Sequence, residues 1–216
     1  MVFYETIEIA YPMSNDPVKS DAFLLEPTSE AVTLRRATPA DAAALALVGA
    51  ATFLEAFTWM LPGADIIAHC AKNHTLEAYA AYLALPTTRI TLAVAGLDAP
   101  VGYAMLTAPE LPTIETTATD VELKRIYLFS RVRSSKTEVV GRPGVRTAQA
   151  LMDAAVADAR EMGHKRLLLG THGDNERAIG FYRRNGFVVV GTRVFKVGVQ
   201  ECSDLIFAKP LDTPPS

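Results

Sequence analysis

The sequence predicts an α/β fold in which a mixed central sheet carries helices on both faces. Apolar residues alternate along the chain between the period of two that is typical of strands and the wider spacing that is typical of helices. One segment has the capping-box start of a helix, and two strand-like segments are separated by a turn short enough for a β-hairpin. A chain of 216 residues, half of them hydrophobic, can bury one sizeable core.

The first strand and the first two helices follow from local signals. The strand covers residues 32–37, "VTLRRA". The first helix then opens with Thr38 as N-cap, Pro39 at the first helical position and Asp41 three residues after the cap. A second helix is predicted over about residues 75–85, and Pro86, which follows directly, ends it.

The second half of the chain alternates between strands and helices. Strands are predicted over "RITLAVAG" and "VGYAMLTA", joined by "LDAP", and then over "DVELKRIYLF". The helix "RTAQALMDAAVADAREMG" ends at Gly163, since glycine favours the left-handed conformation found there. A buried strand "KRLLLGT", a helix from Asn175, and the strands "FVVVGTRVF" and "SDLIFAKPL" complete the chain. This order predicts a mixed sheet.

Composition limits the classes of function. We expect residues 1–30 to be an extension, 31–211 one domain, and 212–216 a flexible tail. A net charge of −3 and a pI of about 5.8 give no argument for a nucleic-acid or membrane partner. Cys70, Cys202 and four scattered histidines form neither a disulfide framework nor a metal cluster, so no metal is expected. With no apolar run of about 18 residues and no signal peptide pattern, we expect a cytoplasmic protein.

The segment "GRPGVRTAQALM" places a glycine-containing loop directly before a helix N-terminus. Free backbone N–H groups and the positive end of the helix dipole suit a phosphate there, and Arg142 and Arg146 would add charge-assisted hydrogen bonds. An ordinary loop would show the same residues. A P-loop is excluded, because the Gly-Lys-Ser/Thr ending that it requires is absent.

The run "NERAIGFYRRNGF", residues 175–187, together with "ELKRIYL", the loop before "ALM" and the tail "VVVGTRVFKVGVQECSDLIF", resembles the GNAT superfamily of acetyl-CoA-dependent N-acetyltransferases. The chain is most similar to the PaiA-type polyamine acetyltransferase branch, over roughly residues 31–211. The resemblance implies a mostly antiparallel sheet in which two parallel strands splay apart around acetyl-CoA. It also implies direct acetyl transfer to a bound small amine, and homodimers are common in the family.

The resemblance implies a set of cofactor-binding residues. The backbone of Ile126, Tyr127 and Leu128 would pair with the pantetheine arm. The pyrophosphate would lie on a loop and the first turn of a helix, for which the candidates are Arg142, Gly144, Val145, Arg146, Thr147 and Ala148. Asn175 would bond the pantetheine, or cap its own helix, or do both, and Ala178 would leave room for the cofactor.

Tyr182 is the candidate general acid, because the resemblance implies that its hydroxyl lies near the thioester sulfur. A phenol with an ordinary pKa of about 10 stays protonated at neutral pH and can share its proton with a departing thiolate. The alternative is a tyrosine that only packs beside Phe181, with its hydroxyl in solvent.

Glu122 is the first candidate for the base that removes the proton of the amine. It resembles the strand glutamate of the family, and strand alternation places it on the same face as Lys124, Ile126 and Leu128. A surface carboxylate near basic neighbours is the alternative interpretation. His172 is the second candidate base, since imidazole titrates near neutrality, and the reaction could also proceed without a dedicated base.

Four further residues are candidates for the acceptor pocket. Glu55 would attract a cationic amine, and Phe53, Phe57 and Tyr103 would line the pocket, although simple core packing also explains the two phenylalanines. By family resemblance a polyamine is the favoured acceptor, with other small amines, amino sugars or a peptide amine as alternatives.

The sequence departs from the family at the pyrophosphate loop, which usually reads Gln or Arg, two residues, Gly, one residue, then Gly or Ala. Here Pro143 stands first and Arg146 replaces the central glycine, whose function is to let backbone approach phosphate closely. The preceding loop, "SRVRSSKTEVVGRP", is long and polar, so we expect it to be mobile. A degenerate acetyltransferase that binds coenzyme A without turnover, as a regulatory or scaffold protein, is therefore the alternative function.

Overall fold

The computed structural model describes residues 31–134, 137–197 and 200–211, so the predicted extension and tail lie outside the described residues. Strand β1 (Val32–Arg36) leads through a single 3-10 turn into helix α1 (Ala42–Phe57). The predicted capping box is confirmed, since the backbone N–H of Thr38 donates to the Asp41 carboxylate at 2.7 Å.

Three helices precede the next strand, whereas the sequence predicted two. Helix α3 (Leu76–Ala84) is the predicted second helix, and Thr75 caps it. Helix α2 (Gly63–Asn73) was not predicted, although its apolar residues recur at helical spacing; Ile66 is its one buried residue.

The rest of the chain follows the predicted order with one addition, a five-residue helix in the long polar loop. The bounds are β2 (Arg89–Ala95), β3 (Ala99–Thr107), β4 (Asp120–Leu128), α4 (Ser130–Ser134), α5 (Thr147–Glu161), β5 (Arg166–His172), α6 (Glu176–Arg184), β6 (Val188–Val197) and β7 (Gln200–Pro210). Helix α4 is too short to show a period in the sequence. Further along the same loop, Val139 is buried and its neighbours bond to Val32 of β1, so the described part is held against the sheet.

The seven strands form one sheet in the order β1-β2-β3-β4-β5-β7-β6. Five of the six neighbouring pairs are antiparallel, and the exception is the parallel pair of β4 and β5. The predicted mixed, mostly antiparallel sheet is therefore confirmed.

Helices cover both faces of the sheet. Leu151 and Met152 of α5 and Ile179 of α6 pack on one face in the largest apolar cluster. Leu45 and Val48 of α1 pack on the other face with residues of α3, β2 and β3. The stretch Pro39–Phe57 is long and apolar enough for a membrane span by composition, with a mean hydropathy of 1.5, and its buried residues pack against the sheet.

Candidate active site

The parallel strands β4 and β5 separate soon after they begin. Residues Asp120–Glu122 of β4 pair with Arg166–Leu168 of β5. Beyond these residues β4 pairs only with β3, and β5 pairs only with β7. A bidentate ion pair lies where the two strands pair: Arg166 Nε and Nη2 donate to the Asp120 carboxylate at 2.9 and 2.6 Å. That ion pair also lowers the pKa of Asp120. The predicted splay of the parallel strands is therefore confirmed.

The separation opens a cleft of about 1080 Å³ that passes between the two strands. Ile126, Tyr127 and Leu128 of β4 line one side, and Gly170, Thr171 and His172 of β5 line the other. Because β5 has turned away, no strand of the described residues pairs with this edge of β4. Its backbone groups are therefore available to an extended ligand.

A β-bulge in β4 decides which side chains face which side of the sheet. Leu123 pairs with Leu106 but Arg125 pairs with Met105, so Lys124 is an extra residue. As a result Leu123 and Ile126 pack into the same cluster beneath α5 and α6. The prediction that Glu122 shares a face with Ile126 and Leu128 is therefore wrong, because the bulge reverses the alternation.

Tyr182 of α6 reaches the cleft from the side of α5 and α6. Its ring is buried against Phe181, Phe187 and Phe207, with centroids 5.8 to 6.0 Å away. Within the described part of the chain, no residue hydrogen-bonds its hydroxyl. Burial raises the pKa of Tyr182 well above its ordinary value, so the hydroxyl keeps its proton at neutral pH. An unbonded, protonated phenol in the cleft is a suitable hydrogen-bond donor for a ligand.

Glu122 reaches the cleft from the opposite face. It pairs with Leu168, which packs beneath the segment around Leu111. Its side chain is almost fully buried, and Oε2 accepts a hydrogen bond from the backbone N–H of Glu110 at 2.8 Å. Among the described residues Oε1 has no partner, so a carboxylate oxygen remains available to accept a proton.

The second candidate base, His172, and the acceptor-pocket candidate Glu55 both line the cleft with their polar groups already engaged. His172 Nδ1 accepts a hydrogen bond from the backbone of Asp174 at 3.2 Å, which leaves Nε2 as the protonated nitrogen of the neutral ring. Both oxygens of Glu55 accept from Ser130, one from its N–H and one from its hydroxyl, each at 2.8 Å. Neither arrangement favours proton removal from a substrate.

The N-terminus of α5 meets the cleft at its other end. Arg146 is the exposed N-cap residue, and its side chain lines the cleft together with Ala148 and Gln149. Thr147 is buried and does not line the cleft. Gly144 has a positive φ of 76° in the turn before the helix, away from the cleft lining.

Two of the predicted phosphate ligands are placed elsewhere. Arg142 donates to Asp153 at 2.5 Å and does not line the cleft. Val145 donates its N–H to the carbonyl of Arg142 at 3.2 Å within the turn and is likewise outside the lining. The geometry therefore gives no support to a phosphate contact by either residue.

Helix α6 contributes the predicted asparagine and two basic residues that the prediction missed. Asn175 Oδ1 caps the helix by accepting from the N–H of Ala178 at 3.1 Å, and both residues line the cleft. Arg177 and Arg184 also line it. Both stand in the motif that carried the family resemblance, and their spacing of seven residues, two helical turns, was the signal that could have identified them.

The acceptor candidates divide into two groups. Phe53 and Phe57 line the cleft with ring centroids 4.5 Å apart, and Phe53 stacks on His69 at 4.1 Å. Tyr103 is fully buried outside the lining, where its hydroxyl bonds that of Tyr79 at 2.6 Å. Tyr103 is therefore a core residue, contrary to the prediction that it lines the pocket.

Comparison with known proteins agrees with this geometry. Residues 145–187 match the model of the acetyltransferase (GNAT) family. An uncharacterized N-acetyltransferase of Mycobacterium bovis is 33% identical over 171 residues, which are 79% of this chain and 98% of the relative. A relative of the same description from Mycobacterium tuberculosis matches to the same extent.

Solved structures share the fold. A PaiA N-acetyltransferase from Thermoplasma acidophilum, in complex with coenzyme A, superposes with a TM-score of 0.65 at 18% identity over 83% of this chain and 99% of that one. A probable acetyltransferase from Staphylococcus epidermidis superposes with a TM-score of 0.62 at 12% identity over 83% and 98% of the two chains.

Proposed function

The chain belongs to the GNAT family of N-acetyltransferases, and from this membership we propose that it transfers the acetyl group of acetyl-CoA directly to the primary amine of a small molecule. The observation that carries the proposal is the opening between β4 and β5. It brings an acid candidate, Tyr182, and a base candidate, Glu122, into one cleft from opposite faces of the sheet. A thioester and an amine can therefore approach each other through the sheet.

The residues around the cleft fit acetyl-CoA. The free edge of β4 at Ile126 to Leu128 would pair with the amides of the pantetheine arm, as a neighbouring strand would. The first turn of α5 offers backbone N–H groups and the positive end of its dipole to the pyrophosphate. Arg146 and Arg177 line the same cleft and would add positive charge.

Two side chains would manage the protons. Glu122 Oε1, directly or through water, takes a proton from the ammonium form of the acceptor, and the amine nitrogen then attacks the thioester carbonyl carbon. A C–N bond forms while the C–S bond breaks. The Tyr182 hydroxyl donates its proton to the sulfur as negative charge develops there, and the thiol leaves. The nitrogen loses its second proton as it becomes the amide, and this proton returns, directly or through water, to the Tyr182 oxygen. Because both groups are buried, little solvent reorganisation opposes these transfers.

A polyamine is the acceptor expected from the family resemblance, but the charges along the cleft do not favour it. A long polycation would need several unengaged carboxylates. Glu110 is ion-paired with Lys124 at 2.6 Å, and Asp204 with Arg193 at 3.1 Å. Glu55 is bonded to the Ser130 hydroxyl and N–H, so among the carboxylates that line the cleft in the described part of the chain only Glu122 has no side-chain partner.

Initial-rate kinetics test direct transfer. With acetyl-CoA and the amine varied together, attack within a ternary complex gives double-reciprocal lines that intersect. Parallel lines would instead indicate an acetylated enzyme and contradict the proposal. Calorimetric binding of acetyl-CoA without transfer to any amine would favour the non-catalytic alternative. The homodimer and the cytoplasmic location expected from the sequence stay predictions.

A further inference from the structure

Arg125 lies beside the bulge in β4 and points away from the face covered by α5 and α6. Its guanidinium carbon is 5.4 Å from the ring centroid of Tyr79 and 5.5 Å from that of Tyr82, both on α3. Arg125 and Tyr82 both line the cleft. The guanidinium therefore occupies the part of the cleft beneath the first three helices, on the opposite side of the sheet from Tyr182.

Among the residues that the structure describes, this guanidinium has no anionic partner. Its Nη1 atom is buried and has no hydrogen-bond partner, and no carboxylate of the described residues forms an ion pair with Arg125. Other arginines of the chain pair with carboxylates, such as Arg166 with Asp120 and Arg35 with Asp41. An arginine is always charged, and a buried charge without a partner is costly, so the arrangement calls for a ligand.

The groups around Arg125 supply no competing anion. Burial, reinforced by the charge of Arg125, lowers the pKa of His69 to about 4 and that of His74 to about 3, so both rings are neutral at neutral pH. The hydroxyl of Tyr79, a neutral group that also interacts with Arg125, is engaged with His74 Nδ1 at 2.9 Å and with the hydroxyl of Tyr103 at 2.6 Å. The aromatic rings therefore surround the positive charge of Arg125. Arg133, whose buried Nε likewise has no partner among the described residues, lines the same cleft.

We propose that the acceptor carries a carboxylate as well as the amine, and that Arg125 binds this carboxylate in the cleft beneath α3. This inference rests on the proposed function and narrows its substrate class to small amino acids and related aminocarboxylates. A planar carboxylate matches the fork of a guanidinium better than a point charge does. The amine of such a molecule is attracted to Glu122, three residues away on the same strand.

The test compares each amino acid with the amine that its decarboxylation gives. Such pairs keep the reacting amine and side chain and differ only in the carboxylate. The wild-type protein is assayed for kcat/KM on a panel of these pairs, with spermidine and spermine included. We expect the amino acid of the best pair to be preferred roughly 10- to 100-fold, which is the usual effect of a hydrogen bond to a charged group.

Two variants assign the preference to Arg125. Arg125→Gln should abolish most of it by raising KM for the amino acid, while the paired amine is affected less than about threefold. Lys124→Gln is the matched control, because it removes a positive charge from the next residue, whose ammonium is ion-paired with Glu110. It should leave the preference unchanged. Because the preference is a ratio measured within one protein sample, it is independent of how much of each variant folds.

Each outcome decides between the proposals. A wild-type enzyme that acetylates the plain amines or polyamines as well as the amino acids would overturn the role of Arg125 and leave the acetyltransferase intact. If Arg125→Gln lowered the rates for both members of a pair equally, Arg125 would be structural and the inference would fail. Transfer to no member of the panel, despite acetyl-CoA binding, would instead contradict the proposed function itself.

Discussion

At the scale of single residues, a substitution of Tyr182 tests whether its hydroxyl protonates the leaving sulfur. Tyr182→Phe keeps the ring packed against Phe187 and Phe207 and removes only the donor to the leaving sulfur. We expect kcat to fall roughly 100-fold, the lower range of general acid catalysis. The calorimetric Kd for acetyl-CoA should change little. Tyr127→Phe removes another buried phenol from the same cleft and serves as control; equal losses in the two variants would contradict a specific role for Tyr182.

A substitution of Glu122 tests whether its carboxylate removes the proton from the amine. Glu122→Gln can keep the hydrogen bond from the Glu110 backbone, because the amide oxygen still accepts, but it cannot take up a proton. The loss of kcat/KM should be largest near neutral pH. It should shrink as the pH approaches about 10, where a free alkylamine deprotonates without help. A loss that is the same at every pH would show that Glu122 acts through structure alone.

At the scale of elements, β3 packs closely against the part of β4 that lines the cleft. A Cβ atom at Gly102 would lie 2.5 Å from the carbonyl oxygen of Tyr127 and 2.6 Å from Leu128 Cδ1. Gly102→Ala should therefore lower the free energy of unfolding by about 1–3 kcal/mol, as overpacking does, and weaken acetyl-CoA binding. Gly63→Ala is the control, because nothing lies within 4 Å of its added Cβ. A Tm for Gly102→Ala equal to that of the control would contradict this packing.

Substitutions of Arg146 and Arg142, near the start of α5, test which arginine contacts the phosphates of acetyl-CoA. Arg146 lines the cleft where the family has glycine, so Arg146→Gln should raise the Kd for acetyl-CoA about 3- to 10-fold and reduce its dependence on salt. Arg142→Gln should lower the Tm through the lost pair with Asp153 and leave the Kd unchanged. If Arg142→Gln instead raised the Kd measured by calorimetry and Arg146→Gln left it unchanged, the phosphate contact would belong to Arg142.

The elements also show how far the sequence could predict the site. The caps at Thr38 and Asn175 and the order of the strands follow from local chemistry, so they could be read in advance. The bulge at Lys124 could not, because it arises from pairing between strands and has no local signal. It reversed the predicted face of Glu122 and directs Arg125 toward α3, which is why sequence reasoning missed that arginine.

At the scale of the whole molecule, the two buried histidines make stability depend on pH. In the unfolded chain both take up protons below about pH 6.5, whereas in the folded chain burial holds their pKa values near 4 and 3. The unfolded state then binds more protons, so the stabilisation is complete above about pH 6.5 and is lost as the pH falls. Asp41 and Asp120, whose pKa values are lowered by Arg35 and Arg166, extend the loss below about pH 4.

Urea unfolding measured between about pH 7 and pH 5 checks this expectation. The midpoint should fall steadily across that interval for the wild type and less steeply for the double variant His69→Gln, His74→Gln. His164→Gln, in the turn after α5, should keep the wild-type slope. A wild-type midpoint that stays constant to pH 5 would mean that neither histidine is held neutral by burial.

Acetyl transfer in the cleft is tested most directly by thiol release from acetyl-CoA by the wild-type protein, with amino acids, their decarboxylated amines and polyamines offered as acceptors. We expect release that depends on an acceptor and matches the acetylated product mole for mole. We also expect the amino acids to be the better acceptors. Bound acetyl-CoA with no acceptor-dependent release on any amine would contradict the claim that the opening between β4 and β5 is an acetyl-transfer site.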